Sequence, residues 1–296
     1  MSTGTAQRNN FDALRLIAAL MVVVSHQFAL MDLPEPLLSD KCSLGGLGVA
    51  IFFAISGFLV THSWVRDPDL GRFLARRYLR IVPALAVCIP LTWLATKLSG
   101  LSHFPGNPYA ALNGSLWTIP WEVTCYLSLC GLSLLFRLRA PVFLVGMLVL
   151  SQYGSLGFVY SFFGIMFGMG MLLAEFERLR SREWTIALLT IGAAAAALGM
   201  QKTPFYFIVP ALSIWIGSRS WPVLRTMGSK GDISYGLYIY AWPVQQWSVA
   251  LLGTVQPYLA MLALTLSALV PLAVASWLLI EKPALRKKPI SSTRTP

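Results

Sequence analysis

The chain has 296 residues, 56% of them hydrophobic and only 12% charged, with a mean hydropathy of +0.66. A soluble domain of this size could not hide so much apolar surface, so the composition excludes that class and points to a polytopic membrane protein. The formal charge of +11 would suggest nucleic acid in a soluble chain, but here the basic residues lie between apolar runs, where they report topology.

Apolar stretches bounded by charge, Pro or Gly predict spans near 11–30, 44–64, 81–98, 115–136, 141–153, 156–174, 184–200, 204–218, 233–252 and 258–280. With the N-terminus cytoplasmic, all but Lys41, Lys97 and Lys202 of the 23 Lys and Arg fall inside. The expectation is an all-α protein of ten transmembrane helices with both termini cytoplasmic. No small-residue cleavage pattern follows the first run, so that helix is expected to stay in the mature protein. No composition shift, low-complexity segment or repeat breaks the chain, which predicts one integral-membrane domain over 1–296, its core about 10–285 between short tails.

The first span holds Arg15 and His26, eleven residues apart. Eleven helical residues rise about 16 Å and turn about 1100°, close to three full turns, so a permanent cation and a titratable imidazole share one stripe. Ionisable groups inside a membrane are costly and by default functional. The ordinary alternatives are a snorkelling anchor for Arg15 and a helix–helix hydrogen bond for His26.

The second span carries Phe52-Phe53-Ala54-Ile55-Ser56-Gly57-Phe58-Leu59 after Gly45, Gly46 and Gly48, small residues that let helices approach closely in lipid. The segment Arg72 to Pro83 places Arg77 and Arg80 on one helix face, where two guanidiniums suit a phosphate or an anionic lipid headgroup. Ser115-Leu116-Trp117 leads to Glu122, a carboxylate about one turn inside the fourth span. By depth its expected partner is His26, whose tautomer it would fix. The ninth span opens Asp232-Ile233-Ser234-Tyr235-Gly236-Leu237-Tyr238, is rich in aromatics and holds Pro243 in its interior. Glu281-Lys282-Pro283 reads as a helix stop with interface charges. The four cysteines, Cys42, Cys88, Cys125 and Cys130, lack metal-ligand spacing, and no metal site is expected.

Together, Asp12 with Arg15 and His26, Phe52 to Leu59, Arg77-x-x-Arg80, Ser115-Leu116-Trp117 with Glu122, Ser234-Tyr235-x-x-Tyr238 and Glu281-x-Pro283 resemble the acyltransferase 3 family, in its stand-alone form without an added hydrolase-like domain. The resemblance implies a multi-pass protein of the bacterial inner membrane that moves an acyl group, often acetyl, from cytoplasmic acyl-CoA to hydroxyls of envelope glycans or lipid-linked saccharides. It implies His26 as the catalytic residue and Arg15, Arg77 and Arg80 as ligands of the CoA phosphates. Many relatives carry a His in the ninth span where this chain has Ala241, so no role passes to that position.

On this reading His26 acts as general base on the acceptor hydroxyl, with Glu122 orienting its ring. Direct transfer is expected, with Ser56 or His26 as the alternative acyl carriers. The pantetheine arm, on the order of 15 to 20 Å, matches the helix rise from Arg15 to His26. The rival from another class is a proton-coupled secondary transporter of a small anionic solute, since buried ionisable groups and helix-breaking Pro also describe carriers.

Overall fold

The computed structural model describes residues 9–39, 42–99, 113–136, 139–228 and 231–289. Residues 100–112 and the cations Arg8, Lys41, Arg137, Lys230 and Arg294 lie outside the described residues.

The described chain is all-helical apart from one small hairpin. Its helices are α1 (Phe11–Leu30), α2 (Leu44–Arg66), α3 (Leu70–Ser99), α4 (Thr118–Leu135), α5 (Arg139–Leu150), α6 (Gly154–Glu175), α7 (Arg182–Ala197), α8 (Thr203–Gly217), α9 (Pro222–Gly228), α10 (Ser234–Leu252), α11 (Tyr258–Ser276) and α12 (Lys282–Arg286). A 3₁₀ turn, Glu177–Arg180, follows α6, and a π turn, Trp277–Glu281, joins α11 to α12. The hairpin pairs β1 (Leu37–Ser39) with β2 (Cys42–Ser43) antiparallel, Leu37 opposite Ser43 and Ser39 opposite Cys42.

Each apolar stretch singled out in the sequence falls on a helix. Among the described residues five runs are long and apolar enough to cross a membrane: α1, α2, α3 as far as Lys97, α4, and Tyr258–Arg286 through the π turn. The apolar helices α5 and α8 and the Val159–Glu175 part of α6 are shorter.

Three boundaries differ from expectation, each for a local reason. Helix α3 starts eleven residues before the expected span, because the Leu, Ala and Arg of 70–80 are good helix formers and continue the apolar helix outward. Helix α4 starts at Thr118, not 115, because the Asn113 side chain accepts the Ser115 N–H at 3.0 Å and holds a turn ahead of it. Glu281-Lys282-Pro283 is not a helix stop. The π turn carries the helix through it, and Pro283 sits in the first turn of α12, where its missing N–H costs nothing.

The chain forms two compact units. One comprises residues 1–18, 49–62 and 123–232, with a core of Phe11, Ile55, Phe58, Leu173 and Ile214. In it α2 and α6 touch backbone to backbone: a Cβ on Gly57 would run into the Phe167 carbonyl, and one on Gly170 into that of Ala54. The other comprises 19–48, 63–122 and 233–296, with a core of Leu30, Met31, Trp242, Val249 and Met261.

Candidate active site

The sequence around His26 is built to hold one stretch of α1 rigidly. Ser25 accepts the Gly45 N–H at 2.9 Å. The Gln245 amide donates to the Val23 carbonyl at 2.7 Å and to Gln27 Oε1 at 3.3 Å, and Thr265 donates to the same Gln27 oxygen at 3.0 Å. The Tyr258 hydroxyl donates to the Val24 carbonyl at 3.0 Å. Bonds from α2, α10 and α11 thus anchor the Val23 and Val24 carbonyls and the side chains of Ser25 and Gln27 on either side of His26.

The imidazole meets the Trp242 indole edge-on, with centroids 4.9 Å apart and planes at 86°. Its Nδ1 is buried and makes no hydrogen bond among the described residues. Buried polar atoms are normally paired, so an imidazole nitrogen left open in the interior is a group kept available for a ligand or a proton.

What holds Trp242 follows from Pro243. Lacking an N–H, Pro243 leaves the Ile239 carbonyl without its helical donor. The Asn113 amide donates to that carbonyl at 2.8 Å and the Cys88 thiol at 3.2 Å. Gly114 then lies flat against Trp242, where any Cβ would strike the six-membered ring. Asn113, Cys88 and Gly114 therefore brace the kink that presents Trp242 to His26. The sequence reading did not assign these three or Trp242. The signal was Pro243, whose i−4 carbonyl needs a donor from elsewhere in the fold.

Glu122 has neighbours other than the expected one. It lies within electrostatic reach of Tyr235 and Tyr238, as Glu281 and Arg80 do of Tyr235. Thr118, one turn before it, shares a 2.7 Å hydrogen bond with the Tyr238 hydroxyl, and Tyr235 donates to the Ile81 carbonyl at 2.9 Å. Glu281 is 2% exposed, and its Oε1 accepts from Ser276 at 2.9 Å. The motifs around Arg80, Glu122, Tyr235 and Glu281 thus converge at the start of α10, whereas the contact described for His26 is with Trp242, one turn beyond Tyr238.

Two arginines of the basic segment share one buried carboxylate. Asp67, 3% exposed, binds Arg72 through Nη2 at 2.7 Å and Arg76 through Nη1 at 2.7 Å. Bonds from Arg72 and then Arg76 hold the Asp67 carboxyl down at about 2. Arg77 and Arg80 do not bind Asp67: the Arg77 guanidinium sits 5.7 Å from the Phe73 ring centroid, and Arg80 lies within electrostatic reach of Tyr235. Arg15 belongs to the other unit, where one guanidinium nitrogen bridges Asp12 at 2.9 Å and Asp232 at 2.5 Å. A phosphate at Arg15 has to compete with these carboxylates. Ser56, in the same unit, shares a 2.9 Å hydrogen bond with Tyr126. No group of three or more His, Cys, Asp or Glu able to hold a metal occurs among the described residues.

A family model described as "Acyltransferase domain" matches residues 8–281. The chain is 32% identical to "O-acetyl transferase" of Shigella phage Sf6 over 328 aligned positions, covering 93% of this chain and 95% of that one. It is 29% identical to "Nodulation protein 10" of Rhizobium leguminosarum bv. viciae over 349 positions, covering 95% and 94%. A shorter likeness, 26% over 166 positions, covers 45% of this chain and 33% of "Regulator of hypoxia-inducible factor 1" of Caenorhabditis elegans. No solved structure matches. With a family match running from before α1 to the end of the π turn, and motif residues meeting around α10, the chain belongs to the acyltransferase 3 family.

Proposed function

We propose that this protein is a membrane O-acyltransferase that moves an acyl group, most simply acetyl, from cytoplasmic acyl-CoA to a hydroxyl of an envelope glycan or lipid-linked saccharide, with His26 as general base. The observation that carries the reading is the buried Nδ1 of His26, open among the described residues and braced by Trp242. The family match and the name of the phage relative support acyl transfer to oxygen. Ten crossings of a bacterial inner membrane, both ends cytoplasmic, complete the proposal, and they rest on the distribution of Lys and Arg.

In this scheme the acceptor O–H gives its proton to the imidazole as its oxygen attacks the thioester carbon. The tetrahedral oxyanion collapses, the C–S bond breaks, and the CoA thiolate leaves with the proton from the imidazolium. Transfer is direct, with no acyl-enzyme. Arg77 and Arg80, three apart on one face of α3, are the cations proposed for the CoA phosphates. Arg15 serves the same end only by exchanging a carboxylate for phosphate. Glu122, beside Tyr235 and Tyr238, is assigned a positioning role at the start of α10.

The test is transfer of label from acetyl-CoA to envelope saccharides by purified protein. Arg80→Ala should raise KM for acetyl-CoA with kcat largely kept, and His26→Ala should lose kcat. Full acetylation by the His26 variant overturns the base assignment, and a donor KM unmoved by Arg77→Ala and Arg80→Ala overturns the donor site. Release of no free CoA by the wild type favours a carrier instead.

A further inference from the structure

A cavity of about 520 Å³ opens in the first unit between the C-terminal ends of α6 and α8 and the start of α7. Its floor is apolar, formed by Leu173 and Ile214, and its rim carries Arg180, Ser181, Ser218 and Arg219. Cations beyond helix C-termini are ordinary in themselves. Three further observations are not explained that way.

The Arg219 guanidinium lies 4.2 Å from the Trp215 ring centroid, which fixes its plane. No carboxylate pairs with it among the described residues. Trp215 Nε1, in the cavity wall, is buried and has no hydrogen-bond partner among the described residues. Arg180 pairs with Glu177 at 2.5 Å, but Glu177 is 85% exposed. A solvent-exposed i,i+3 carboxylate of this kind is readily exchanged for a stronger acceptor.

We propose that this cavity is a binding site for a phosphate ester with an apolar or aromatic body. The phosphate oxygens take the forks of Arg180 and Arg219, the Trp215 N–H donates to an oxygen of the ligand, and the body rests on Leu173 and Ile214. Bidentate guanidinium donors suit phosphate, and basic pockets between the ends of membrane helices suit phosphorylated headgroups. An anionic phospholipid and the nucleotide end of a coenzyme present the same chemistry. The site stands independently of the role of His26.

Purified full-length protein would be tested with two probes. Adenosine 3′,5′-bisphosphate is titrated by calorimetry, and phosphatidylglycerol retention over phosphatidylcholine is measured by native mass spectrometry from mixed nanodiscs. Binding of the first identifies a nucleotide source and selective retention of the second a lipid source, and either supports the site if it weakens at least about tenfold in Arg180→Ala/Arg219→Ala. Should that variant fail to fold, Glu177→Gln, which alters only an exposed side chain, should tighten binding roughly threefold by removing the competing carboxylate. The site is overturned if neither probe binds, if a folded double variant binds unchanged, or, where that variant does not fold, if Glu177→Gln leaves binding unchanged.

Discussion

The Trp242 indole and the His26 imidazole form a T-shaped pair, their centroids 4.9 Å apart and their planes at 86°. This T-shaped contact packs the ring while its Nδ1 makes no hydrogen bond among the described residues, as the proposed base role requires. His26→Ala should lower kcat by about 10² to 10⁴ with folding intact. Trp242→Phe keeps an aromatic edge and should lower kcat less than His26→Ala, with donor KM unchanged. Trp242→Ala should also destabilise by about 3–5 kcal/mol. Steady-state kinetics beside thermal unfolding separate the two effects.

Asn113 and Cys88 share the carbonyl that Pro243 leaves unpaired. Asn113→Ala should cost about 1 kcal/mol, the net worth of a hydrogen bond whose acceptor keeps a second donor. Cys88→Ala alone should cost less, because the 2.8 Å bond from Asn113 remains. The double variant should exceed the sum of the two, since only then is the carbonyl orphaned. Unfolding midpoints of the four proteins give the coupling directly.

Asp67 titrates far below its ordinary value because Arg72 and Arg76 bind its charged form. A carboxyl held down in the folded state stabilises the fold above its unfolded value near 3.8, and that contribution drains away as pH falls toward about 2. Between pH 5 and pH 2.5 the wild type should lose stability more steeply than Asp67→Asn, which has no such proton to take up. Parallel slopes over this range would falsify the linkage.

Gly57 and the Phe167 carbonyl are in direct apposition. Gly57→Ala should destabilise by about 1–3 kcal/mol through forced separation of α2 and α6. Gly146→Ala, where a Cβ meets nothing within 4 Å, should be neutral or slightly stabilising. Thermal unfolding of the pair checks that the cost comes from the close approach and not from helix propensity.

What the amino-acid order determined alone was the helical inventory and the chemistry worth suspecting. Apolar run length locates helices because burying backbone polar groups in lipid demands it, and every expected run lies on one. Arg15, His26, Arg77, Arg80 and Glu122 stood out because a charge or imidazole beside lipid is expensive wherever it sits. Tertiary structure decided who meets whom. It turned Glu281 from a helix-end charge into a buried carboxylate within electrostatic reach of Tyr235, gave Arg15 to Asp12 and Asp232, and brought Glu122 within electrostatic reach of Tyr235 and Tyr238. It also recruited Asn113, Gly114 and Cys88 to brace Trp242. The bracing of Trp242 and the pairing of Arg15 with Asp232 depend on contacts between residues more than a hundred positions apart along the chain, such as Asn113 with Ile239. Helical periodicity sets only which side of a helix a residue occupies, and packing of the folded chain chooses the partner.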